Sequence, residues 1–495
     1  MSVLPALVTS SDLLPNGGPL NGRRSAGKTL LSLWAKHSDL DPLTLAVTNP
    51  SDRKIWEDVS KLAGHRGKLN LINLIHPKGM LPFEALFLPD PSIGKWSQWR
   101  SSLGSTAFSL IGQIHTLSTP ASIGLIGELV TEPIRPWDAL ICSSRAGKEV
   151  VEALIADREE QLIRKFSITE SLLPLRPQLP VIPLPIDTQT IEQELPNKKE
   201  ARKTLGLEPH SHVALWLGRL SILTKLDPWP TYQVLESAAK QLDKPLVLIE
   251  CGPDDSSEQA DHLHKIKELC PNIQFCRLGG SQPVDEITKL NALAASDLAI
   301  SLVDNTQETF GLAVAEAMAA GLPIVASDWN GYKDLVRDGI DGFLIPSQWS
   351  SIASELSSTL GWETQLGVLS YPMMAGCLAQ LVRLDLSAAV AGVVTLFNQP
   401  ILKRAMGEAA KTRAKNTFHS KIVMNMYKDL FKDLNDRRLT AKKTYSEDIF
   451  SPLSIDPVKA FSSYPSKTKQ MNLHISEICN VPTLVKDGRK PLWDE

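Results

Sequence analysis

DLAISLVDNTQETFGLAVAEAMAAGLPIVASDWNGYKDLVRDGIDGFLIP, residues 297–346, is the stretch from which the fold is read. An apolar run at Leu298–Val303 reads as a buried strand, and it ends in a polar loop, Asp304–Glu308. A helix is predicted to start near Gly311 and to stop at Gly321, where a C-terminal glycine cap belongs. Pro323–Ser327 then reads as a second strand, so the segment is a strand–helix–strand unit of a parallel sheet.

The same rhythm extends outward in both directions. Val213–Leu217, Leu246–Cys251 and Ile273–Arg277 read as further strands with helical stretches between most of them. Upstream, Leu173–Asp187 holds five prolines, which fit neither a helix nor a central strand, and it reads as a linker. Before the linker, Leu4–Thr9, Leu43–Val47, Leu69–His76, Phe108–His115 and Asp138–Ser143 alternate with helical patterns at Gly27–His37 and Ala146–Leu154. The expected organisation is an α/β chain with two doubly wound lobes facing across a cleft: residues 1–190, residues 191–348, a helical extension over 349–438 with a closing helix around Val423–Leu434, and a tail at 439–495.

Composition narrows the function classes. Of the 495 residues, 52 are Lys or Arg and 55 are Asp or Glu, a net charge of −3, which argues against a nucleic-acid binder and leaves phosphate binding as a local matter. Six scattered cysteines without a CxxC pair match neither a disulfide framework nor a zinc site, and a cytoplasmic setting is expected. MSVLPALVTSSD lacks a basic segment ahead of its short apolar run and reads as a first strand rather than a signal peptide. The apolar stretches Leu366–Val382 and Leu386–Phe397 fall short of the roughly 20 residues a bilayer requires, so any membrane association would be peripheral, at the inner face.

The chemistry-bearing residues cluster on residues 297–346 and one element before them. Glu308 stands at the mouth of the helix, whose free N–H groups at Phe310, Gly311 and Leu312 form an anion site. Glu316 is the one charge on GLAVAEAMAA, an apolar and therefore buried helix, and a buried carboxylate needs a partner that sugar hydroxyls would supply. Taken alone, Glu308 could equally be a dipole-complementing helix charge and Glu316 a solvent-facing one. The preceding GRLSILTK sets Arg219 and Lys225 at a strand end, where two cations suit a leaving diphosphate.

Together these residues resemble the retaining GT-B glycosyltransferases of the family-4 type, also called glycosyl transferases group 1: E-x7-E (Glu308, Glu316) within ETFGLAVAEAMAAGLPIVASD, preceded by GRLSILTK. The match is densest over Ala214–Pro346, and the closing helix with Phe418 and Tyr427 agrees with it. The resemblance implies that Arg219 and Lys225 hold the diphosphate, Glu308 the donor sugar and Glu316 the ribose, with the backbone of Phe310, Gly311 and Leu312 against phosphate or sugar. It also assigns Gly17 and Gly18 of NGGPLNGR to a close approach to phosphate or sugar, and His115 to the donor sugar across the cleft; a structural role accounts for His115 as well. Two departures stand out: six positions rather than five separate Arg219 from Lys225, and Leu226 rather than glycine follows the lysine.

The implied reaction is sugar transfer from a nucleoside diphosphate sugar to a hydroxyl of a glycan, a lipid-linked or a small-molecule acceptor, with no cofactor and no metal, since no D-x-D pair stands at a strand end. The base would be read near Gly252–Pro253 and Leu278–Gly279. A rival motif, GRRSAGKT at Gly22–Thr29, matches a phosphate loop literally and would give Lys28 and Thr29 to ATP and Mg²⁺; against it, a long loop separates the motif from its strand. A GT-B epimerase, a phosphorylase or a non-catalytic scaffold are the other rivals.

Overall fold

The computed structural model describes residues 5–9, 22–48, 53–441 and 461–464, with no side-chain placement for 22–29. Two six-stranded, all-parallel sheets organise the chain. The first contains β1 (Pro5–Val8), β2 (Leu43–Val47), β3 (Leu69–Asn73), β4 (Ala85–Phe87), β5 (Ser109–Gln113) and β6 (Ala139–Ile141), in the order β3-β2-β1-β4-β5-β6. The second contains β7 (His212–Leu217), β8 (Leu246–Cys251), β9 (Ile273–Leu278), β10 (Leu298–Ser301), β11 (Ile324–Ser327) and β12 (Gly342–Ile345), in the order β12-β11-β10-β7-β8-β9. Central strands such as β5, β8 and β11 are buried along their whole length, the expected state for strands covered by helices on both faces.

Strand order reverses direction between β1 and β4 in the first sheet and between β10 and β7 in the second. Loops leaving two such strands diverge to opposite sides and open a crevice at their carboxyl ends, where ligands bind in this architecture. Lys225 follows β7 and Glu308 follows β10, so the switch point delivers both to one crevice.

The proline-rich linker is not a free span. It runs beside β6, with Gln178 N–H donating to Asp138 O (2.8 Å) and Ile182 N–H to Cys142 O (2.9 Å), while Pro180 O accepts from Cys142 N–H (2.9 Å). Pro180 occupies a position that only has to accept, which is how an edge strand tolerates a proline. Farther on, Ile186 exchanges two backbone bonds with the start of the closing helix, to Phe418 O (2.8 Å) and from Ser420 N–H (3.0 Å).

The closing helix, Ser420–Ala441, packs against the first lobe. Tyr427 and Phe431 stack with Trp34 and meet the Phe87 ring edge-on, and the buried Tyr427 hydroxyl donates to Gln113 Oε1 (3.1 Å). The helix therefore runs past Arg438, and the extension before it is not wholly helical. A hairpin of β13 (Ser347–Trp349) and β14 (Val382–Leu384) carries the helices Ala353–Gln365 and Tyr371–Ala379 as one insertion. Residues 461–464 form a turn. No single helix among the described residues is long and apolar enough to cross a membrane.

The GRRSAGKT motif corrects one rival reading. All eight residues lie inside the helix Gly22–His37. A phosphate loop wraps its ligand with non-helical backbone ahead of the helix, and here the first glycine is already helical.

Candidate active site

A cleft of about 780 Å³ is lined by both lobes, the linker and Ser420 of the closing helix. Its centre is an ion pair: Lys225 Nζ lies 2.5 Å from Glu308 Oε2. Glu308 Oε1 in turn accepts from the N–H groups of Thr309 (3.3 Å) and Phe310 (3.4 Å). Burial pushes the Glu308 carboxyl up, but Lys225 and these N–H groups more than reverse that and hold it below the usual carboxylate range. The glutamate is therefore ionised and fixed in place at neutral pH.

The helix that follows, Leu312–Ala319, starts at Gly311, whose φ of 112° is open to glycine and strained for other residues. A Cβ there would also run into the Tyr332 ring, which is buried and held by a hydrogen bond between its hydroxyl and Ser301 Oγ (2.8 Å). The intrahelical ladder begins with Ala315 N–H to Gly311 O (3.0 Å), leaving the N–H groups of Leu312, Ala313 and Val314 outside it, and Leu312 and Ala313 line the cleft. Phe310, Gly311 and Leu312 all line the cleft, but the Phe310 N–H, expected to be free for an anion, is taken by Glu308 Oε1.

Glu316 requires a correction. It is not sealed in an apolar helix: its side chain is 26% exposed and Lys289 Nζ lies 3.0 Å from Oε1. The helix buries Val314, Ala315, Ala317, Met318 and Ala319, and turns Glu316 to the cleft. Arg219 also lines the cleft and is ion-paired with Asp255, which further accepts from Ser221 Oγ (2.9 Å) and Gln259 Nε2 (3.1 Å). Gly252 and Pro253 lie on the same wall, whereas Leu278 and Gly279 are not among its lining residues.

From the first lobe, His115 and Thr116 reach the cleft. The His115 ring bonds through Nε2 to Pro89 O (2.7 Å), and its carbonyl accepts from Thr309 Oγ1 (2.8 Å) across the cleft. Thr309 O accepts from Ser144 Oγ (2.7 Å) and Ser143 Oγ (3.3 Å), also first-lobe residues. Gly17 and Gly18 lie outside the described residues.

Sequence reasoning missed Thr309, Ser144, Asp255 and Lys289. Neutral hydroxyls carry no pattern in a single chain, and the partners of Arg219 and Glu316 lie 36 and 27 residues away on other elements. Only Lys289 left a trace, as a cation on the polar face of the helix Glu286–Ala295.

Two lobes of this topology facing one cleft define the GT-B fold. Residues 197–361 match the family of glycosyl transferases group 1, so the resemblance read from E-x7-E holds for the second lobe. Among curated relatives, D-inositol 3-phosphate glycosyltransferase 2 of Catenulispora acidiphila is 32% identical over 158 residues, 30% of this chain and 35% of that protein. D-inositol 3-phosphate glycosyltransferase of Xylanimonas cellulosilytica is 24% identical over 317 residues, 60% of this chain and 67% of that one. The chain spans about half the length of the curated relatives it matches. Among solved structures, Anabaena Alr3699/HepE in complex with UDP superposes with a TM-score of 0.53 at 15% identity, covering 88% of this chain and 100% of that one, a likeness of fold.

Proposed function

We propose that the protein is a retaining glycosyltransferase that moves a sugar from a nucleoside diphosphate sugar to an acceptor hydroxyl. One observation carries the reading: the Lys225–Glu308 pair stands at the switch point of the second sheet, flanked by Arg219, a helix N-terminus and Glu316. Each member suits one part of such a donor. Arg219, Lys225 and the N–H groups at Gly311 and Leu312 meet the diphosphate, Glu308 the sugar hydroxyls, and Glu316 the ribose.

Arg219 and Lys225 are paired with Asp255 and Glu308. Donor binding trades these partners for phosphate oxygens, which frees Glu308 to accept from sugar hydroxyls. As the glycosidic bond breaks, negative charge grows on the leaving phosphate, and Lys225 and Arg219 stabilise it where it develops. The acceptor hydroxyl attacks from the face the phosphate leaves, and that phosphate takes the hydroxyl proton. Positioning and electrostatics then account for the protein's part, without a protein nucleophile and without a metal.

The name of the curated relatives makes a small phosphorylated polyol the first acceptor to assay, beside glycans and lipid-linked acceptors. The test is nucleoside diphosphate release from a panel of nucleotide sugars with these acceptors, in the presence and absence of EDTA, with the product anomer read by NMR. Retention of configuration, insensitivity to EDTA and loss of release in Lys225→Ala are expected. Inverted product or EDTA-sensitive transfer overturns the mechanism.

A further inference from the structure

Lys289 belongs to the helix Glu286–Ala295, whose N-terminus is fixed by Asp285 accepting from Thr288 N–H (2.8 Å). Its ammonium lies between two carboxylates, 3.0 Å from Glu286 Oε1 and 3.0 Å from Glu316 Oε1. The lysine side chain is largely buried at the cleft wall, near Val284 and the Gly252–Pro253 turn at the end of β8. Burial pulls the ammonium's pKa down, and Glu316 and Glu286 more than restore it, so the lysine stays charged. Glu316 Oε2 has no hydrogen-bond partner among the described residues and belongs to the same cleft wall.

We infer that Lys289 is a positioning residue for ribose recognition: it holds the Glu316 side chain in place through one carboxylate oxygen and leaves the other open to the ribose 2′- and 3′-hydroxyls of the bound nucleotide. The inference rests on the donor-site reading above. A glutamate on a helix surface samples several rotamers, and fixing it costs side-chain entropy at the moment of binding. Lys289 fixes it beforehand. A shorter or neutral side chain at position 289 would remove this partner and leave Glu316 free to turn away. The consequence is selectivity for ribose over 2′-deoxyribose that depends on a residue with no role in the phosphate chemistry.

The test is calorimetric binding of UDP, GDP and ADP, each beside its 2′-deoxy counterpart, to the wild type, Glu316→Gln, Lys289→Met, Lys289→Gln and Lys289→Arg. A charge-assisted hydrogen bond to the diol predicts that the wild type prefers the ribonucleotide by roughly tenfold or more. Both neutral lysine variants lose that preference with 2′-deoxy affinity unchanged, and Lys289→Arg keeps most of it. In turnover, Lys289→Met raises the donor KM and leaves kcat in place. If Glu316→Gln loses the preference while both neutral lysine variants retain it, the inference is overturned and the donor-site reading stands. If the wild type binds none of the diphosphates, or Glu316→Gln keeps the preference, the donor-site reading falls and the inference with it.

Discussion

Thr309 and His115 are joined across the cleft, the threonine Oγ1 donating to the histidine carbonyl at 2.8 Å. Thr309 is the neighbour of Glu308, and its own carbonyl is held by Ser144 Oγ at 2.7 Å, so the loop bearing the glutamate is fastened to the first lobe at two points. Arg145, one residue on, adds a contact to Asp334 (2.5 Å). The position of Glu308 therefore depends on contacts with the first lobe.

Thr309→Val keeps the shape of the side chain and removes the bond. The loss of one neutral hydrogen bond predicts a fall in kcat of about tenfold with donor affinity nearly unchanged. Steady-state kinetics with Thr309→Ser as the rescuing variant check this; an unchanged kcat would leave Thr309 a packing residue.

Lys225→Ala removes a cation from the leaving phosphate and leaves Glu308 without its counter-charge. If the lysine acts as an oxyanion donor does, kcat falls by about two to three orders of magnitude. The apparent pKa of Glu308 rises at the same time, since its largest restraint against burial is gone. Comparing Lys225→Ala, Glu308→Gln and the double variant separates the two effects: the double variant is expected to be little worse than the lysine variant alone.

Acid stability has an assignable part. Asp297 is buried among Lys198 (2.6 Å), Arg202 (2.9 Å) and Lys403 (3.3 Å), and although burial raises its pKa, Lys198, Lys403 and the Val213 N–H bring it to about 2. A depressed folded-state pKa gives stability that is present above the unfolded value near 4 and is lost as pH falls toward 2. The contribution is about 2 kcal/mol. Denaturant titrations between pH 5 and 2 should show this part of the slope in the wild type and not in Asp297→Asn; equal slopes would contradict it.

Phe431 is 4% exposed in the cluster with Trp34, Phe87 and Tyr427 that seats the closing helix on the first lobe. Phe431→Ala should cost about 3–5 kcal/mol. Chemical denaturation measures it, and a loss below about 1 kcal/mol would mean the helix is held elsewhere, for instance at the Ile186 pairing.

Much of the fold was legible in the sequence because parallel strands buried on both faces are unbroken apolar runs. Leu246–Cys251 is read residue for residue, and the helix after Gly311 ends where Gly321 says it should. β4, of only three residues, was missed, because so short a run at Ala85–Phe87 carries no period. The hairpin at Ser347–Trp349 was missed for a different reason: its partner, Val382–Leu384, lies beyond two inserted helices. At the site, Arg219, Lys225, Glu308 and Glu316 were visible as charges in apolar surroundings, and the structure brings all four to one cleft. Their partners were not visible, since pairing of residues such as Lys289 and Glu316 is a property of packing, and no local rule sets it.

The most direct measurement is thermal stability with UDP, GDP, ADP, TDP and ATP, each with and without Mg²⁺, on the wild type and on Glu316→Ala. A ligand that binds only the folded chain raises its stability in proportion to RT ln(1 + [L]/Kd). A shift with one nucleoside diphosphate, independent of Mg²⁺ and reduced in Glu316→Ala, is the predicted result. A shift with ATP and Mg²⁺ alone, untouched by the substitution, would contradict the account.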